Sequence, residues 1–279
     1  FVICQGFAQK GMQSVILGAV MNIVLDPLFI FGLKMGVKGA AIATVLSQLC
    51  SCLFVLHFLF GPAPQVGISF GGYRPWLMGR ILLTGLTPFL IIAVDNLMII
   101  VLNALLQRYG GESQGDLLVA AATISQSFML VVTMPLGGMT GGTASILGYN
   151  LGAGQPKRIL EAQKYILIIA VAYTGVLCLV GQLFAAPFTR IFTPDVQVSA
   201  LAVTAIRIAS LGIVPLGVQY VIVDGLTGMG MMRYSLPLSA FRKLVYFVAI
   251  FVLPAAFGAM AIFFAEPISE LIAPVVTVL

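Results

Sequence analysis

The sequence predicts an all-α polytopic membrane protein. Of its 279 residues, 60% are hydrophobic and 8% are charged, against roughly 25% charged in a soluble domain. That is too little charge to cover a water-facing surface. Apolar runs long enough to cross a bilayer, which takes about 20 residues per helix, recur along the chain. Glycine is abundant, with 30 residues, and small residues let helices pack closely in lipid.

Residues 1–8 read as a helix tail. Further helical segments are expected at 12–33, 37–60, 81–107, 117–147, 160–184, 197–228, 237–256 and 259–279. They are separated by GLKMGVKG, GPAPQVGISFGGYRPW, RYGGESQGD, LGAGQPKR, FTPD and GMGMMRYS. Each break combines Gly or Pro with polar or charged residues, which is how helices end. Residues 61–80 are the longest aperiodic stretch and read as a linker, with Trp76 suited to a membrane interface.

The net charge of +5 does not imply nucleic-acid binding, because the basic residues lie singly or in pairs between apolar runs. Counted in alternate loops, one set holds Lys10, Arg74, Arg80, Lys157, Arg158, Lys164, Arg233, Arg242 and Lys243. The other holds Lys34, Lys38, Arg108 and Arg190. Nine against four assigns the first set, and the linker, to the cytoplasm. Arg207 falls inside a segment. Cys4, Cys50, Cys52 and Cys178 form no CxxC pair and suggest neither a disulfide framework nor a zinc site. The glycine-rich GGMTGGT and LGAGQP lack the GxxxxGK[ST] pattern of a phosphate loop. HExxH is absent, so an enzyme is not expected.

Ionisable residues within apolar segments cost about 2.5–3.5 kcal/mol each on insertion scales, and so point to function. Asn22 and Asp26 lie four apart on one helical face, directly before Pro27. Carboxylate, amide oxygen and a carbonyl freed by the proline suit Na⁺ or a shared proton; alternatively, the pair satisfies the backbone break or joins two helices. Asp95, with Asn96 and Asn103 on the same segment, is a group able to load and release a proton, or a partner for a base such as Arg207. Asp224 is expected to cap or to lie at the interface. Glu266 and Glu270 share one face, with Glu266 a candidate to line a cavity. His57 is alone and reads as interfacial. Met129, Met134 and Met139 suit plastic packing or an adaptable pocket.

A short internal match relates Ala43–Gln48 (ATVLSQ) to Ala265–Glu270 (AEPISE), each opening a helix after an LDP- or LP-containing segment. Parallel repeats leave such traces in transporters. MNIVLDPLFIFGLKMGVKGAAIATVLSQ resembles the fifth and sixth helices of the multidrug and toxic compound extrusion (MATE) family. MPLGGMTGGTASILGYNLGAGQPKRILEA resembles its eighth helix and following loop. SLPLSAFRKLVYFVAIFVLPAAFG with AEPISELIAP resembles, more loosely, helices eleven and twelve. The similarity is to the bacterial MepA-like branch.

The resemblance implies a two-lobe bundle of twelve helices, of which about eight are present here. Residues 1–60 would complete the N-lobe, 61–80 would link the lobes on the cytoplasmic side, and 81–279 would form the C-lobe. It implies a cation-binding set of Asn22, Asp26 and Thr44, able to hold Na⁺ together with a helix-one Asp outside this chain. It also implies a coupling acid at Asp95, where the family usually carries Glu. Asn96, Asn103, Met129 and Glu266 are further candidates to line a cavity. The implied function is a monomeric antiporter in the bacterial cytoplasmic membrane, lipid-embedded, with no cofactor. It would exchange H⁺ or Na⁺ for lipophilic or cationic drugs by alternating access. The rivals are a lipid-linked saccharide flippase and a fragment without function. A flippase is expected to line its cavity with several Arg and Lys, and Arg207 is the main mid-membrane cation foreseen.

Overall fold

The computed structural model describes residues 2–62, 64, 66–67 and 71–278, without the side chains at 4, 83, 84, 87, 88, 91, 112, 113 and 278. Cys4 therefore lies outside the described side chains. All regular structure among the described residues is helical. Among the described residues, seven helices are long and apolar enough to cross a membrane, or eight if one bent pair is a single span. Many large apolar side chains on them are exposed, such as Ile23, Val15 and Leu183. Surfaces of that kind are stable against lipid. The chain forms two compact units that meet in sequence between Met78 and Gly79.

In the first unit a single 3₁₀ turn, Ile3–Gln5, closes on the left-handed Gly6 and precedes α1 (Ala8–Pro27). The ladder loosens into a π-helical turn at Leu28–Gly32, directly after Pro27. The expected break then turns the chain through Lys34 and Gly36, both at positive φ, into α2 (Val37–Leu59). The two helices pack along small residues. Gly39, Ala43 and Ser47 are the buried stripe of α2, at the i, i+4 spacing of one helical face. A Cβ on Gly39 would lie 2.8 Å from the backbone carbon and oxygen of Phe29. Gly→Ala in a helix ordinarily gains about 1 kcal/mol. Here overpacking against rigid backbone, at about 1–3 kcal/mol, outweighs that gain. Gly39→Ala is therefore expected to lower the thermal midpoint of the protein in detergent. A raised midpoint would refute this close packing.

α3 (Pro75–Gly152) crosses the boundary in its first turn and gives the second unit two limbs joined at Gly111, whose φ of 65° breaks the helix. A Cβ on Gly110 would come within 2.7 Å of Gly115 Cα, so RYGGESQGD folds as a hairpin only glycine permits. α4 (Pro156–Phe192) starts with proline at its first turn and deviates at Phe184, three residues before Pro187. α5 (Val196–Ser210) is capped by Asp195, which accepts from Gln197 N at 2.7 Å. α6 (Ile213–Gly228), α7 (Met232–Phe257), a 3₁₀ segment (Ala259–Phe264) and α8 (Ala265–Val278) complete the unit.

Three local expectations change. The single helix 197–228 is broken at Leu211–Gly212 into α5 and α6, bent by 50°. Pro215 explains the break, since its ring clashes with the carbonyl four residues back, at Leu211. The segment 259–279 is 3₁₀ before it is α-helical. α7 begins at Met232 rather than 237, which puts Arg233 in its first turn and Arg242 and Lys243, counted with the loop although within the expected segment 237–256, more than two turns inside the span. Without them the loop count is seven against four, and the orientation it implies is unchanged.

The core of this unit runs along the second limb of α3. Phe128, Met129 and Val132 pack against Ala202, Ile206, Ile213 and Leu216 of α5 and α6. Leu102, Leu106 and Leu118 pack at the hairpin end against Ile250, Ile262 and Ala265. α8 is thereby held beside α6 and α7, which sets its two glutamates against their neighbours.

Candidate functional site

Two cavities lie in the second unit and share a wall of Asp95, Tyr220, Arg242 and Lys243. The first, of about 350 Å³, gathers three carboxylates (Asp95, Glu266 and Glu270) with Arg242 and Lys243. Glu266 and Glu270 stand one turn apart on α8, a spacing that puts both on one face. Glu270 is 1% exposed, and its Oε2 has no hydrogen-bond partner. That oxygen occupies the place where a Cβ on Gly212 would be. The carboxyl group thus rests on the backbone break between α5 and α6, and no side chain caps the start of α6. An unmet buried acceptor costs free energy that a bound proton or cation would recover.

Asp95, on the first limb of α3, makes an ion pair with Lys243 of α7 at 2.7 Å. The Asp95 side chain is half-exposed, whereas that of Lys243 is 10% exposed. The partner of Asp95 is therefore Lys243 and not Arg207, which is exposed on α5. Arg242 and Lys243, not Arg207, supply the cations of the cavity wall. This removes the sparseness of positive charge expected from the sequence.

The second cavity, of about 720 Å³, runs along α7 and α6 past Arg80, Gln219, Asp224, Ser235 and Ser239. Asp224 accepts a hydrogen bond of 2.6 Å from Thr140 Oγ1 on the second limb of α3. Of the two roles expected of Asp224, capping gives way to this cross-helix bond. The last turn of a helix presents carbonyls, which a carboxylate cannot cap.

Met129 and Glu266 line the first cavity, as Asp95 does. Asn96 and Asn103 line neither, and Asn96 Nδ2 donates to its own helix at Ile92 O (2.9 Å). In the first unit Asn22 Nδ2 and Asp26 Oδ1 are buried without hydrogen-bond partners. Thr44 lies one residue off the buried stripe of α2, exposed, and donates to Ala40 O at 3.0 Å. No hydrogen bond joins Thr44 to Asn22 or Asp26 among the described residues. The short internal match has a counterpart in burial: Ala43 and Ser47 are buried on α2, as Ala265 and Ser269 are on α8. Gln126, Gln219, Arg242, Lys243 and Glu270 face the cavities without having been selected from the sequence. Only Glu270 carried a signal, its shared face with Glu266.

Apolar spans enclosing cavities lined by ionisable side chains mark a multi-pass membrane protein. The MatE family model matches residues 89–252, and the chain belongs to that family. It is similar to the multidrug export protein MepA of Staphylococcus haemolyticus, with 24% identity over 90% of this chain and 54% of that protein. It is also similar to MepA of Staphylococcus aureus, with 23% identity over 97% of this chain and 60% of that protein. An outward-facing multidrug resistance MATE family transporter of the MOP superfamily matches with a TM-score of 0.88 and 26% identity. That match covers 99% of this chain and 62% of the other. A MOP superfamily transporter from Pyrococcus furiosus, whose binding pocket is described as reversed in polarity, matches with a TM-score of 0.88 and 27% identity. It covers 98% of this chain and 61% of the other. The chain thus spans a little over half the length of the curated relatives. Those relatives place it among bacterial membrane proteins with many spans.

Proposed function

We propose that the protein exports lipophilic, drug-like compounds across the bacterial cytoplasmic membrane in exchange for H⁺ or Na⁺. The observation that carries this reading is the cavity where Asp95, Glu266 and Glu270 converge beside a broken span. A cation entering from outside neutralises a carboxyl group there. Packing at the Gly212 break then changes, and the equilibrium between inward- and outward-open states moves with it. Coupling requires the ion to bind those states unequally. The membrane potential adds about 2.3 kcal/mol per charge per 100 mV. Asn22, Asp26 and Thr44 form a second candidate cation set in the first unit.

This reading is tested with ethidium accumulation in bacteria lacking their own exporters. Expression of the full-length protein is expected to lower accumulation, and dissipating the proton or sodium gradient to restore it. Accumulation unaffected by expression would count against export.

A second reading, a lipid-linked saccharide flippase, is favoured by Arg242 and Lys243 in the cavity wall. A Pyrococcus furiosus relative of the MOP superfamily, described as having a reversed pocket polarity that suggests a different function, supports keeping this second reading.

A further inference from the structure

The larger cavity holds hydrogen-bond donors whose acceptors are missing. Gln219 is 2% exposed and lines it, yet neither Nε2 nor Oε1 has a partner. Arg242 forms no ion pair within 4 Å among the described residues; Glu266 and Glu270 of the neighbouring cavity act on it only through space. The two acids of this cavity are already engaged, Asp95 with Lys243 and Asp224 with Thr140. Along the α7 wall, Ser235, Ser239 and Arg242 recur at the i, i+4, i+7 spacing of one face. The remaining wall is mostly apolar, from Ile81, Ile92, Val223 and Leu236.

We propose that this cavity binds an amphiphilic anion, with Arg242 and Gln219 gripping its carboxylate, sulfonate or phosphate ester and the apolar wall taking its hydrocarbon part. A guanidinium presents two parallel N–H groups matched to the paired oxygens of such a group. The Gln219 amide adds a donor whose unmet hydrogen bonds are costly until a ligand supplies the acceptor. The volume, about 720 Å³, lies within the range of small-molecule sites, roughly 300–1,000 Å³. The inference goes beyond export of lipophilic or cationic compounds, since it assigns the opposite charge to the ligand of this cavity.

The test is a fluorescence titration of the purified full-length protein in phosphatidylcholine nanodiscs. The probes are 5-dimethylaminonaphthalene-1-sulfonate and its neutral sulfonamide, which share one ring system. The sulfonate is expected to bind about tenfold more tightly, the equivalent of one charge-assisted hydrogen bond. Arg242→Gln is expected to abolish that preference, and Arg242→Lys to keep part of it. Weaker sulfonate binding in phosphatidylglycerol nanodiscs would identify a lipid headgroup as the natural source of the anion. Unchanged binding there would identify a free amphiphile. Equal affinity of the wild type for both probes in phosphatidylcholine, or a preference surviving in Arg242→Gln, would overturn the proposal. No ion gradient enters the titration, so its outcome is independent of coupled export.

Discussion

Glu270→Gln is expected to reduce gradient-driven export by about 10–100-fold, the range of a typical coupling free energy, while leaving equilibrium binding of ethidium within a few-fold. The change removes the charge and keeps the shape. A glutamine can neither load nor release a proton, and it offers a cation one neutral oxygen in place of a carboxylate. The site is buried, at 1% exposure, so water does not compensate for the loss. Its contact with Gly212 places it where α5 and α6 bend against each other by 50°. An ion bound there acts directly on the broken element of the bundle. Binding and driven efflux are measured on the same preparation. Driven efflux that persists in Glu270→Gln would remove this residue from the coupling site.

Breaking the Asp95–Lys243 pair is expected to be strongly asymmetric. Asp95→Asn removes one counter-charge from a lysine whose side chain is 10% exposed, and weakening a buried ion pair from its acidic side costs up to about 3 kcal/mol. Lys243→Met leaves behind a carboxylate that is half-exposed and borders both cavities, where water reaches it more readily than the buried lysine, so it costs less, about 1 kcal/mol. The double variant should be close to Lys243→Met alone, because the buried charge is gone. Thermal denaturation of the four proteins in detergent gives the cycle. Equal losses in the two single variants would show that the pair is wet on both sides.

The spans were legible because a membrane helix is written locally, as about 20 apolar residues ending at Gly, Pro or charge. RYGGESQGD and FTPD marked breaks for the physical reasons seen in the fold, a left-handed glycine and an aspartate cap. Pro215 was a weaker mark, since proline in an apolar segment is often tolerated in membrane helices. Its consequence, the break at Gly212, became visible only in three dimensions. Arg242 and Lys243 were counted with the neighbouring loop although the expected segment 237–256 contained them, because a basic pair near the start of a segment reads as its flank; α7 starts at Met232 and carries the pair well inside the helix. Partners were least legible of all. Asp224 finds Thr140 across 84 residues, and Asp95 finds Lys243 through tertiary packing alone. A single sequence shows which polar residues are costly and leaves open which of them meet.

The most direct measurement is ethidium efflux from proteoliposomes containing the full-length wild-type protein, under an imposed proton gradient, an imposed sodium gradient, or neither. Coupled export predicts efflux against a dye gradient that follows one of the two ion gradients and stops when it is collapsed. Efflux that ignores both gradients would contradict the antiport account and leave the flippase reading in its place.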